Sequence, residues 1–222
     1  MLAMKKTLSL SLCFFLLFTA CQYREGIFAT ISPTGDKSIE VIAILPFHGP
    51  PTAEPRTKMA SCPICGAVFQ TDKLGRDEIA LVEALFVTRL KEMGRYRIIP
   101  PEQTENLVSV REVYTTGNLS PIIKKINEQT GADAVVVGHV FRYRERIGYP
   151  YAVEKPASVA LEVHLIRVSD EQTIWKGLID RTQSSLMENV LLFASFYKRG
   201  GRWLTVKEFT EEGIEELLKT FP

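Results

Sequence analysis

Apolar positions along this chain fall into blocks with two different periods. Ile39 to Leu45 is a nearly continuous, β-branched-rich apolar run ended by Pro46, the pattern of a central strand covered on both faces. From Asp77 to Met93, residues Ile79, Val82, Phe86, Leu90 and Met93 recur at spacings of three and four. That spacing draws one apolar helical stripe, and Gly94 follows as the expected C′ residue. Arg97 to Ile99 predicts a short strand, stopped by Pro100 and Pro101. Ser120-Pro121 predicts a helix start, with Ser as N-cap, Pro at the first helical position and Gly131 as the stop. Ile122, Ile123 and Ile126 line one side of it, and Ala134 to Tyr143 then predicts a strand whose beginning is buried on both faces.

The second half changes period. Val159, Leu161, Val163 and Leu165 alternate with Ala160, Glu162 and His164, which predicts a strand with one wet face. Asp170-Glu171 supplies a turn, and Thr173 to Thr182 continues as an antiparallel partner with Trp175 and Ile179 on one face. A helix is predicted over Leu186 to Lys198, broken by Gly200-Gly201. Thr205-Val206-Lys207-Glu208 is a capping box opening a terminal helix, with Phe209, Gly213, Leu217 and Phe221 on its buried side. Gly213 there allows close approach. Strands alternating with helices and then pairing as a hairpin predict one α/β domain over residues 39–222, a mixed β-sheet flanked by helices.

The amino terminus has a different character. Lys5 and Lys6 precede an apolar run from Leu8 to Phe18, then Thr19, Ala20 and Cys21, which are the parts of a secretory signal. The run is far shorter than the roughly twenty residues a membrane-spanning helix requires. Phe18-Thr19-Ala20-Cys21 resembles the lipobox of bacterial lipoproteins, with Phe18 where Leu is usual. The resemblance implies cleavage after residue 20 and acylation of Cys21, a covalent lipid that anchors the chain to a membrane. Gln22 lacks the aspartate that marks inner-membrane retention, so the expected location is the periplasmic face of the outer membrane. Residues 21–38 then read as a lipidated tether.

Charge and chemistry narrow the function. The sequence has 27 Lys and Arg against 26 Asp and Glu, a balance without the basic footprint of a nucleic-acid binder. Residues 46–76 form a long segment with five prolines, unusual in a compact domain and therefore a candidate functional loop. It holds Cys62-Pro63-Ile64-Cys65. A local disulfide or free thiols pinning the loop is the expectation. Zinc requires four ligands, and only one Cys pair exists, with His48, His139 and His164 in separate segments. Thioredoxin-like redox chemistry requires the first Cys at a helix start, whereas Cys65 runs into Gly66-Ala67-Val68-Phe69. A Cys62/Cys65 metal or thiol protein therefore stands as the alternative. Glu162 and His164 share a strand face, yet no Ser or Cys nucleophile is identifiable beside them. The glycines at Gly117 and Gly200-Gly201 lack phosphate-loop spacing. No catalytic residue, no cofactor beyond the lipid and no small-molecule substrate are expected.

Arg142, Tyr143, Arg144, Arg146, Tyr149 and Tyr151 interleave cationic and aromatic side chains at a strand end, a composition enriched at protein interfaces. Ile42-Ala43-Ile44-Leu45-Pro46-Phe47, Tyr96-Arg97-Ile98-Ile99-Pro100 and Gly131-Ala132-Asp133-Ala134-Val135-Val136-Val137-Gly138 resemble the envelope lipoproteins that share the TolB amino-terminal and CsgG-like α/β fold. Thr173-Ile174-Trp175-Lys176-Gly177 resembles the same group. The resemblance implies a non-enzymatic role in envelope biogenesis or secretion, with an envelope protein or a second copy of the chain as partner. The long alternating hairpins of a transmembrane barrel are absent from the sequence pattern.

Overall fold

The computed structural model describes residues 26–32, 38–50, 58–107, 118–184 and 202–222. The expected signal sequence, Cys21, Gly117, the helix expected over Leu186 to Lys198 and the Gly200-Gly201 break lie outside them. Ten strands, four α-helices and one 3₁₀ turn make up the described elements. In chain order they are β1 (Gly26–Ile31), β2 (Val41–Ile44), β3 (Met59–Ser61), β4 (Val68–Gln70), α1 (Arg76–Glu92) and β5 (Arg97–Ile99). Then follow α2 (Pro101–Thr104), a 3₁₀ turn at Glu105–Leu107, α3 (Ser120–Thr130), β6 (Ala134–Arg144), β7 (Ile147–Tyr149) and β8 (Ala152–Lys155). The chain closes with β9 (Ser158–Arg167), β10 (Thr173–Thr182) and α4 (Val206–Leu218).

Six strands form one mixed sheet in the order β1-β10-β9-β6-β2-β5. β5, β2 and β6 run parallel, and β6, β9, β10 and β1 antiparallel. The expected α/β class and the β9–β10 hairpin are therefore present. On one face, α1 and α4 bury Val82, Phe86, Leu90, Phe209, Ile214 and Leu217 against Ile42, Ile44, Val136, Leu161, Val163, Trp175 and Ile179. On the other, α3 packs Ile122, Ile123 and Ile126 against Ala43, Leu45, Val135 and Val137.

Local signals act as their chemistry demands. Gly131 adopts φ +66° and its N–H donates to the Asn127 carbonyl, ending α3 with a left-handed cap. Two residues on, the Asp133 carboxylate accepts the N–H groups of Glu40 and Val41 at 3.0 Å each, which locks β2 to the start of β6. Both halves of the Thr205/Glu208 capping box are made. At Gly213 a Cβ would stand 3.2 Å from Ile179 Cδ1, so the helix lies close on β10 there.

Four expectations are corrected. Residues 26–31 do not belong to a tether: all six pair with β10, from Gly26↔Asp180 to Ile31↔Trp175. Ser120 is the first residue of α3 rather than its cap, which is Leu119. Asn118 Oδ1 accepts the Ser120 N–H at 3.1 Å, and Ser120 Oγ instead donates to Glu171 Oε1 at 2.7 Å. The 46–76 segment contains the antiparallel β3–β4 hairpin, with Met59↔Gln70 and Ser61↔Val68 in register. Finally, the predicted wet face of β9 is dry, with Ala160, Glu162 and His164 all buried. The β3–β4 hairpin covers it as a flap: Phe69 stacks on Phe141 with ring centroids 4.2 Å apart, and Cys62 joins them against Ala160.

Candidate functional site

The flap brings the two cysteines onto β9. Cys62 follows β3 directly, its N–H donates to the Ala67 carbonyl at 2.8 Å, and the Gly66 N–H donates back to the Cys62 carbonyl at 2.9 Å. This tight turn carries Gly66 through φ +74°, a conformation that favours glycine. The Ile64 N–H points at Cys62 Sγ, 3.4 Å away. Cys62 is thereby tucked under the turn while Cys65 stays at its exposed tip, and neither is bonded to another cysteine.

Beneath them, alternate residues of β9 point the same way. Sheet register sets His164 opposite Val137 and Lys176, and Glu162 opposite His139 and Leu178. Cys62 Sγ lies 3.4 Å from His164 Nε2, Cys65 Sγ donates to Glu162 Oε1 at 3.2 Å, and His164 Nε2 lies 3.4 Å from Glu162 Oε2. One ligand atom from each of the four residues falls within 4.8 Å of the others. At the rim, Lys176 Nζ sits 3.5 Å from Glu162 Oε1 and 3.8 Å from Cys65 Sγ. Glu162 is 0% and His164 1% exposed, so the cluster is rooted in the interior and reaches the surface only at Cys65.

Electrostatics follow from that setting. Burial pushes the Cys62 thiol up, and the Glu162 carboxylate beside it adds to the effect. Burial also acts on Glu162 and His164, but their mutual contact reverses it. Against burial, hydrogen bonds from His164 and Cys62 hold Glu162 down to about 2. His164 is raised despite burial by its contacts with Cys65 and Glu162. Cys65 is lowered despite partial burial, chiefly through His164 and the Ala67 backbone. His139, deeper still, is pushed down to about 3 by burial.

The arrangement is unlike a nucleophile relay. In such a relay the base takes a proton at one ring nitrogen and is oriented through the other. Here Cys62 and Glu162 both approach Nε2, and among the described residues Nδ1 makes no hydrogen bond. Two sulfurs, an imidazole nitrogen and a carboxylate converging on one locus are instead a set of metal-ligand chemistries.

No family model matches the sequence, and no curated protein matches it significantly. Among solved structures, the chain is similar to the PelC dodecamer from Paraburkholderia phytofirmans, at 14% identity and a TM-score of 0.48 over 87% of this chain and 94% of that one. It is also similar to lipoprotein GNA1162 from Neisseria meningitidis, at 14% identity and a TM-score of 0.40 over 72% and 98% of the two chains. The LpoB carboxyl-terminal domain from Salmonella enterica aligns at 14% identity and a TM-score of 0.39, over 67% and 87%. The TolB and CsgG group is not singled out by these likenesses, which concern the path of the chain.

The Arg/Tyr-rich segment divides in two. Arg142 is 3% exposed and serves the interior: its guanidinium donates to Asp180 Oδ1 at 2.5 Å, Ser158 Oγ at 2.7 Å and the Gln70 carbonyl at 3.1 Å. The expected surface role for Arg142 is therefore corrected, because a bulge after Val140 turns it across β9 towards β10. Tyr143 packs against the main core, and burial raises its hydroxyl to about 12. Arg144 is exposed and paired with Asp72 at 3.3 Å, while the Arg146 side chain is largely covered. Tyr149 and Tyr151 stand 78% and 74% exposed on the small β7–β8 hairpin, with Ile147 beside them. The sequence placed Glu162 and His164 on one strand face but did not show that they meet Cys62, Cys65 and Lys176; two polar residues in the middle of a central strand were the available signal.

Proposed function

We propose that this chain is a lipid-anchored, non-enzymatic docking module of the outer-membrane periplasmic face, which presents the β7–β8 hairpin to another envelope protein lying close to the bilayer. One observation carries the reading: the exposed aromatic hairpin sits at the end of the sheet where the chain arrives from Cys21. Gly26 is opposite Asp180, Asp180 opposite Ala160, and Ala160 opposite Arg142, two residues before β6 ends and the hairpin begins. Cys21 precedes Gly26 by five residues, a reach of about 17 Å when extended. A diacylated Cys21 would hold that end, and with it Tyr149 and Tyr151, near the membrane surface. Tyr supplies large amphipathic contact area and is enriched in interface cores. Among the described residues no helix is long and apolar enough to cross a membrane, so the lipid would be the attachment.

A photo-crosslinking amino acid placed at 149 or 151 of the full chain, in the producing cell, tests this. Adducts with one other envelope protein, lost in the Tyr149→Ser/Tyr151→Ser chain carrying the crosslinker at Ile147, are the expected outcome. Adducts only with lipid, only with a second copy of the chain, or with nothing would overturn it.

A further inference from the structure

We infer that Cys62, Cys65, Glu162 and His164 form a structural Zn²⁺ site that staples the β3–β4 flap to the central strand β9. Distances carry the argument first. With Zn–S of about 2.3 Å and Zn–N or Zn–O of about 2.0–2.1 Å, a tetrahedron has edges of about 3.3 Å between nitrogen and oxygen and about 3.5 Å between sulfur and either. The corresponding separations are 3.4 Å for His164 Nε2 to Glu162 Oε2, 3.4 Å for Cys62 Sγ to His164 Nε2 and 3.2 Å for Cys65 Sγ to Glu162 Oε1. These three contacts lie near tetrahedral edge lengths, with Glu162 offering one oxygen to His164 and the other to Cys65, and one ligand atom from each of the four residues falls within 4.8 Å of the others, so small side-chain adjustments would close the shell around one ion.

Chemistry selects the ion. Two thiolates and an imidazole favour zinc over magnesium or calcium, which take all-oxygen shells. Four protein ligands close the coordination sphere, so the site holds structure together and leaves no position for a reacting water. Charge also balances: Zn²⁺ with two thiolates and one carboxylate carries −1, and the Lys176 ammonium at the rim supplies +1. The backbone contributes as well, since the Ile64 N–H aimed at Cys62 Sγ stabilises a thiolate there. The Glu162 carboxylate is 0% exposed, and the ion would add a neutralising partner to the charge buried there beside His164.

The ligands come in two pairs about a hundred residues apart in sequence, one pair on the flap turn and one on β9. Closing them through zinc makes metal affinity part of folding stability and fixes the flap over Phe141 and Ala160. The inference is independent of the docking role of the β7–β8 hairpin.

The test uses the full lipoprotein purified in detergent, under reductant and without chelator. Elemental mass spectrometry should find about one zinc per chain. Replacement by Co²⁺ should give a thiolate-to-cobalt charge-transfer band with the strong visible bands of tetrahedral cobalt. Cys65→Ser alters the exposed tip of the turn and spares the buried packing. It should weaken zinc at least about a hundredfold in competition with a chromophoric chelator, because losing even a group that only orients a ligand costs about 10–100-fold. His164→Gln should do the same while leaving the sulfur charge-transfer band in place. Less than about a tenth of a zinc per chain with no uptake of added Zn²⁺, a Cys62–Cys65 disulfide in the protein as isolated, or undiminished zinc affinity in Cys65→Ser would each overturn the inference.

Discussion

Arg142→Met should be among the most damaging single changes in this protein. The guanidinium meets Asp180 at 2.5 Å, with the two side chains only 3% and 5% exposed, and also holds Ser158 and the end of β4 through the Gln70 carbonyl. Removing one partner of a buried pair leaves the other's charge desolvated, at about 3–5 kcal/mol. For a domain of this size that corresponds to a fall in Tm of about 6–20 °C. Asp180→Leu should cost a similar amount. The double variant Arg142→Met/Asp180→Leu removes both charges and fills the space with hydrocarbon, so it should lie nearer wild type than either single variant. Urea unfolding followed through Trp175, which is completely buried, measures all three on zinc-equilibrated protein. A loss below about 1 kcal/mol for Arg142→Met, or a double variant as unstable as the two losses summed, would refute the reasoning. The first result would return Arg142 to the surface role its sequence suggested.

Gly138→Ala should destabilise by about 1–3 kcal/mol, because the new Cβ would come within 2.4 Å of the Phe47 ring, itself buried against Phe86. Phe47→Leu in the same chain should recover part of the loss, and a Gly138→Ala protein as stable as wild type would contradict this packing. Acid should also weaken the start of α4. Glu208 is held down to about 2 by Arg202 and the Thr205 backbone, below its ordinary 4.5. A carboxylate depressed in the folded state stabilises it above its unfolded pKa, and that contribution fades as pH falls from about 4.5 to about 2. Glu208→Gln should flatten this part of the stability profile, and an unchanged acid limb would count against the Arg202 pair.

The parallel half of the sheet was legible because each element carries its own signal. β2 and the start of β6 are buried on both faces, which forces continuous apolar runs. α1 has one covered side and α4 has its capping box, and each feature is visible within a few residues. β1 was not legible for the opposite reason. As an edge strand half-buried or exposed throughout, it owes its existence to pairing with β10, about 150 residues away, and its own composition demands little. The same holds for the flap, whose strands are three residues each and persist through the Phe69–Phe141 stack and the Arg142 bond to Gln70.

The cysteine cluster shows where a local reading of chemistry stops. Period-two alternation says which residues of β9 share a face, but not whether water or another layer meets that face. Glu162 and His164 look solvated in sequence, and the Cys pair looks like half a ligand set. Energetics connects the two halves. β9 is an interior strand of the sheet, so its second face is buried wherever the chain supplies a cover, and a buried carboxylate or imidazole costs several kcal/mol unless other groups satisfy it. Two polar positions in the middle of such a strand therefore call for partners, and a Cys-x-x-Cys turn with no second pair in the sequence calls for ligands. The 46–76 segment is long enough to lay the turn across the strand, and sheet register, which one strand's sequence cannot specify alone, sets where the two meet.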